Sequence, residues 1–270
     1  VLPLWPNQLL VTLGATHIAL LYRDGFSKKI LAQREQAIIQ HANGAEYACL
    51  HTMALLISEL TVATNTHLHI SLAADLVKYL VLPATAQGMA QSDRLAYAQA
   101  AFREVYGAEV LDWSLQCDYA PPKQAAVCAA IKQSLLDGLL ALAHQHQLTL
   151  KKLSPFFVDV FNQYRLSMQQ SNGLVIIVEH TKLILASLQQ GNCTQIRVQA
   201  LMEDWPMQLD AILARSLLLE DTLTQEAHLF APSHLTQKIK PIEHWHITPL
   251  VRVSRFSKLP APYAMLEAVI

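Results

Sequence analysis

The residues whose types and spacing suit chemistry best are three His-x-His pairs: His67 and His69, His144 and His146, His244 and His246. On a strand, alternate residues face the same way, so the first and third pairs could each offer two imidazoles to a metal. On a helix, residues two apart point about 200° from each other, which makes the middle pair a poor chelator. A tetrahedral site needs a third ligand close in space, and the sequence does not show whether the first and third pairs meet. The expectation is polar strand-edge or surface histidines and no metal site. Glu179 follows the apolar run Ile176-Ile177-Val178, at a strand end where open α/β sheets place ligands. It could serve there as a metal-side carboxylate; meeting solvent or a lysine such as Lys182 is its plainer role. Thr12, Thr16 and His17 read as ordinary strand and turn residues, with His180 and Thr181 at the rim of the same strand end as Glu179.

The motifs of common enzymes are missing. There is no Gly-x-Ser-x-Gly, Gly-x-x-x-x-Gly-Lys, Gly-x-Gly-x-x-Gly or His-Glu-x-x-His. Only 8 of 270 residues are glycine, which disfavours glycine-rich phosphate loops. Cys49, Cys117, Cys128 and Cys193 form no Cys-x-x-Cys and read as buried free thiols. Trp5, Pro6, Trp113, Tyr119, Pro121 and Pro122 place aromatic and proline residues at ends and loops, where core-edge packing or a protein partner would use them.

Composition bounds the rest. Apolar residues make up 52% and charged residues 15%, which excludes disorder. The net charge of -1 and scattered basic residues leave no footprint for nucleic acid. The longest apolar run, Ala125 to Ile131, is far shorter than the roughly 20 residues of a membrane span. The start, VLPLWPNQ, lacks the layout of a secretory signal, so a cytoplasmic location is expected.

The elements that would position these residues fall into a repeated order. Residues 8–23 read as two strands broken at Gly14-Ala15, and Asp24-Gly25 turns the chain into a third strand reaching Ile38. Asn43-Gly44 precedes a helix through Leu60, and His67 to Leu72 alternates as a strand. About 165 residues later the order recurs: strands at 174–178, 182–188 and 194–200, a helix from Glu203, and a strand at 227–230. Between the two β-β-β-α-β units, a helix ends at Gly107 and strands follow at about 109–117 and 124–131. A helix over Leu135 to Ala143 and a strand at 148–153 follow, and Ser154-Pro155 starts a helix to Met168. The expected division is a first lobe at 1–74, an inserted α+β subdomain at 75–155, and a second lobe with a returning helix at 156–270. Residues 241–263 would close the second lobe.

This plan resembles the actin, sugar kinase and Hsp70 superfamily of duplicated ribonuclease H-like lobes. Within it, the chain is similar to the group of the type IV pilus protein PilM and the cytoplasmic domain of the type II secretion L protein. The likeness rests on LLVTLGATHIALL, DLVKYLVLP, AVCAAIKQSLLDGLLALAHQHQLTLKKLSPFFVDVFN and GLVIIVEHTKLILASLQQG. It implies an α/β fold of duplicated actin-like lobes with a nucleotide cleft, in which Gly14, Thr16, Glu179 and Thr181 would line the cofactor site. The family's metal-organising Asp two residues before the first glycine is replaced by Thr12. The second hairpin reads Val178, Glu179, His180, Thr181 with no glycine, and residues 228–245 lack the Gly-Gly pair of the adenosine turn. Together these imply a nucleotide-binding-impaired pseudo-ATPase with no catalytic residue and no bound cofactor.

The group's role implies a scaffold in type IV pilus or type II secretion assembly. It would sit at the inner membrane through a membrane-anchored partner that docks by a short cytoplasmic peptide. The absence of a span before Ile270 suits a peripheral, PilM-like protein. The competing expectations are an active ATP-dependent kinase or ATPase using ATP and Mg, and a histidine-ligated metalloprotein.

Overall fold

The structure is a computed structural model. It describes residues 5–39, 41–42, 44–84, 91–118, 124–219, 223–232, 241–251, 263 and 265–266. The order is β1 (Gln8–Leu13), β2 (His17–Arg23), β3 (Ile30–Ala37), α1 (Ala45–Glu59), β4 (His67–Leu72), β5 (Lys78–Leu82) and α2 (Gln91–Tyr106). After a 3-10 turn at Ala108–Asp112 come β6 (Trp113–Cys117), β7 (Ala126–Lys132), α3 (Gln133–Gln145), β8 (Thr149–Pro155) and α4 (Phe156–Met168). The last stretch holds β9 (Leu174–Val178), β10 (Lys182–Gln189), β11 (Asn192–Ala200), α5 (Trp205–Leu219), β12 (Glu226–Phe230) and β13 (His246–Pro249).

Two five-stranded sheets share one topology, β3-β2-β1-β4-β8 and β11-β10-β9-β12-β13. In each, the first three strands run antiparallel and the fourth and fifth add in parallel. The central strands β1 and β9 are buried almost throughout, as strands covered on both faces must be. The edge strand β3 is largely exposed and polar. Around the second sheet, Trp205, Leu209 and Leu213 of α5 pack on Leu174, Ile176 and Val178. Each such fully buried aliphatic side chain contributes about 1.5–3 kcal/mol.

Local chemistry explains the turns. Gly44 has φ +97 before α1, a conformation costly for any side chain. Gln190 and Gly191, with φ 50 and 72, join β10 to β11 in the left-handed pair that suits the twist of a two-residue hairpin.

The chain forms two compact units. One comprises residues 1–77, 131–160 and 254–270, the other 78–130 and 161–253. The boundaries expected at 75 and 155 do not coincide with them. β8 adds to β4 as the fifth strand of the first sheet, and α3 packs on α1, so the second half of the expected insertion belongs with the first lobe. Gly138 of α3 has room for no Cβ because Leu50 of α1 fills the space. The chain's end also departs from expectation: Tyr263 and Leu266 pack on Leu10, Ala19 and Leu21 of the first sheet.

The remaining part of the insertion is a small sheet, β5-β7-β6, with α2 beside it. Residues 109–112, expected as the start of a strand, lie in the 3-10 turn instead. Here the expectation of four free thiols is corrected, because Cys117 and Cys128 are disulfide-bonded with Cα atoms 4.0 Å apart. Neighbouring strands bring them side by side, which eleven residues of sequence separation do not disclose. Cys49 and Cys193 are buried and stand outside the disulfide.

Candidate functional site

Two hairpin turns carry the residues that sequence singled out. In the first, the Gly14 N–H donates to the His17 carbonyl at 2.9 Å, closing β1 onto β2. In the second, the Glu179 N–H donates to the Lys182 carbonyl at the same 2.9 Å, closing β9 onto β10. The third residue of each turn is also matched. The Thr16 carbonyl accepts from the Ile38 N–H at 2.7 Å, and the Thr181 carbonyl accepts from the Leu201 N–H at 2.8 Å. Gly14 and Thr16 therefore share one turn in the first unit, and Glu179 and Thr181 share its counterpart in the second.

The first turn holds a carboxylate of its own chain. The Ala15 N–H donates to Asp75 Oδ2 at 2.9 Å, and Asp75 Oδ1 is buried. A Cβ on Gly14 would lie 3.3 Å from Ala73 Cβ and 3.4 Å from Asp75 Oδ1, so the glycine admits the close approach of this carboxylate. Below the turn, the Cys49 thiol donates to the Gly14 carbonyl at 3.3 Å. Burial pushes that thiol up to about 12, with the charges of Asp75 and Glu46 adding to it. It is thus a packing group with no thiolate to offer. Asp75 is the site residue that the sequence reading missed. It stands in the DLVKYLVLP stretch, and its only signal was an acid just past a strand that pairs with the glycine strand.

In the second turn, Glu179 takes the glycine's place and is only 1% exposed. It is a buried strand-end acid, and the expected meeting with solvent does not occur. His180 beside it is exposed. Two residues before each turn, Thr12 and Ile177 are buried and neither offers a carboxylate. His17 reaches Glu35 Oε1 with its Nε2 at 2.7 Å.

A polar cluster lies at the C-terminal ends of β4 and β8. Asp159 in the first turn of α4 is 4% exposed and accepts from Ser71 Oγ at 2.6 Å, Ser154 Oγ at 2.7 Å and Lys152 Nζ at 2.6 Å. It ties both strands to the helix and keeps Ser71, which is fully buried, satisfied.

The histidine pairs separate. His67 and His69 share β4 as expected; burial lowers both, and His69 is pushed down to about 4, with His67 and Lys152 adding positive charge. His144 and His146 lie at the end of α3. His244 is not on a strand: it turns at φ 67 before β13, which starts at His246. Among the described residues, no group of three His, Cys, Asp or Glu is placed to hold a metal ion. Of the aromatic and proline candidates, Trp5 is 61% exposed and packs on Phe26, while Trp113 lines a groove of about 130 Å³ with Phe102, Val110 and Leu115. Tyr119, Pro121 and Pro122 lie outside the described residues.

A duplicated five-stranded sheet with matched hairpin turns defines the class: the chain has the actin-like ATPase fold. No protein-family model matches the sequence, and no curated protein does. The likeness extends to many solved structures, these three among them. A chain of the PilM–PilN type IV pilus biogenesis complex is 13% identical with a TM-score of 0.63, covering 97% of this chain and 96% of that one. The cytoplasmic domain of EpsL, an inner membrane component of the type II secretion system of Vibrio cholerae, is 14% identical with a TM-score of 0.57, covering 97% and 93%. A Bacteroides thetaiotaomicron protein of actin-like ATPase fold and unknown function is 9% identical with a TM-score of 0.58, covering 83% and 80%.

Proposed function

We propose that this chain is a non-catalytic scaffold of a type IV pilus or type II secretion assembly platform, an actin-like protein whose nucleotide site is impaired. The carrying observation is the seat of Asp75 in the Gly14 turn. Backbone N–H groups of such a turn suit a phosphate, and here the Ala15 N–H is spent on the chain's own carboxylate. A phosphate entering there would meet like charge as well as a filled space. The second turn carries an acid of its own, the buried Glu179, whose charge likewise opposes a phosphate. Thr12 and Ile177 supply no acid where the family holds its metal-side carboxylate, which supports impaired binding of ATP and Mg.

The scaffold role draws on the likeness to the PilM–PilN complex and to the EpsL cytoplasmic domain, which extends over nearly the whole chain. The chain would work at the cytoplasmic face of the inner membrane, held by a short cytoplasmic peptide of a membrane-anchored assembly protein. Among the described residues, no helix is long and apolar enough to cross a membrane.

Thermal unfolding with millimolar Mg-ATP tests the nucleotide half. A native-state ligand at 100 times its dissociation constant adds about 2.7 kcal/mol, or about 5–10 °C for a chain of this size. No shift is expected. A shift of that size, absent with magnesium alone, overturns the pseudo-ATPase reading in favour of an active ATPase or kinase. The scaffold half is tested by titrating labelled peptides from the cytoplasmic segments of the membrane-anchored pilus and secretion proteins; saturable binding is expected, and none sinks it.

A further inference from the structure

α5 presents two apolar faces. Trp205, Leu209, Leu213 and Ser216 are buried against the second sheet, and they account for its attachment. On the opposite side, Met207 and Leu218 are 77% and 85% exposed, and Ala211 and Ala214 between them are exposed as well. At 100° per residue these four fall within an arc of about 60°. Their spacing of four, three and four is the d-a-d-a seam of a heptad repeat. Asp210 and Arg215 flank that seam on either side, both exposed, and neither forms an ion pair among the described residues.

In the same heptad Asp210 is a g position and Arg215 the following e position. Two parallel helices in register bring g of one against the next e of the other. Asp210 would thus meet Arg215 of a second copy, and twofold symmetry makes the contact twice. An antiparallel copy would instead set acid beside acid and arginine beside arginine. We propose that α5 is a self-association helix through which two copies of this chain pair in parallel and in register. Ala211 and Ala214 let the helices approach closely, near the short end of the usual 8–10 Å interaxial distance. Two heptads bury little surface, so the dimer belongs to the weak, transient class.

The test is sedimentation velocity of the whole chain from about 10 μM to about 1 mM, a range suited to interfaces of that class. The unaltered chain should shift reversibly from monomer to dimer. Asp210→Arg alone and Arg215→Asp alone should each raise the dissociation constant at least about tenfold, since each sets like charges together twice. Mixing the two variants should restore a one-to-one dimer, because each then supplies the charge the other lacks. Leu218→Asp, on a side chain exposed in the monomer, should abolish association without disturbing the fold. A chain that stays monomeric throughout, charge reversals without effect, or a mixture that does not recover would each overturn the proposal.

Discussion

Glu179 stands in the β9–β10 turn where Gly14 stands in the β1–β2 turn: each donates its N–H to the fourth residue of its turn at 2.9 Å, 165 residues apart along the chain. The duplication therefore extends to single hydrogen bonds while the side chains have diverged. The same offset relates Leu10, opposite His69, to Val175, opposite His228. Two half-buried histidines thus occupy one register in the two sheets.

Asp75 is expected to be what keeps inorganic phosphate out of the first turn. Asp75→Ala frees the Ala15 N–H, and phosphate at about ten times its dissociation constant should then raise the melting temperature by about 2–5 °C over sodium chloride of equal ionic strength. Asp75→Asn still offers an oxygen to the Ala15 N–H and should not respond, nor should the unaltered chain. A folded Asp75→Ala variant indifferent to phosphate would reduce Asp75 to a turn brace.

The histidines make stability depend on pH. His69 is held neutral in the fold down to about 4 by burial, whereas the unfolded chain binds its proton near 6.5. The unfolded state therefore carries more protons between those values, so stability is whole above 6.5 and falls as pH drops toward 4. The loss for His69 reaches about 2–3 kcal/mol. Burial also lowers His228, which adds in the same direction. Urea unfolding at pH 7 and pH 4.5 should show a steeper loss in the unaltered chain than in His69→Gln; equal slopes would contradict it.

Asp159 should be costly to remove. Asp159→Ala strands the buried Ser71 hydroxyl and removes the partner of Lys152, which is partly exposed and keeps some solvation, a loss of about 2–4 kcal/mol in denaturant unfolding. Ser71→Ala, which takes one hydrogen bond and leaves the ion pair, should cost about 1–2 kcal/mol. Equal losses in the two variants would show that the carboxylate's charge is immaterial.

Gly138→Ala gains about 1 kcal/mol of helix propensity yet drives a methyl group into Leu50. The clash falls on the δ-carbons of half-buried Leu50, which can turn aside, so the two effects should nearly cancel, within about 1 kcal/mol. In a Leu50→Ala background, where the clash is gone, Gly138→Ala should stabilise by the full propensity gain, and a loss above about 2 kcal/mol from Gly138→Ala alone would show that Leu50 is locked in place.

Thiol titration of the unfolded chain is expected to count two cysteines before reduction and four after, since Cys117 and Cys128 are paired. Breaking so short a loop costs about 2–3 kcal/mol by chain entropy. Four thiols without reductant would contradict the pairing.

The sequence by itself determined the elements and their duplication. Buried strands such as Leu174–Val178 are continuous apolar runs, and Gly44, Gly107 and Gly191 mark breaks at positive φ, so both are local signals. The candidate turns at Gly14 and Glu179 were legible because each ends an apolar strand run. What only the tertiary structure decided depends on pairing between distant segments. β8 joins the first sheet by lying beside β4, Tyr263 returns to the first core, and Cys117 meets Cys128 across two strands. Asp75 is sixty residues from Ala15, and nothing in its neighbours shows that the parallel pairing of β1 and β4 delivers its carboxylate to that N–H. Periodicity reports which face of an element is buried, whereas the partner on that face is chosen by the packing of the whole chain.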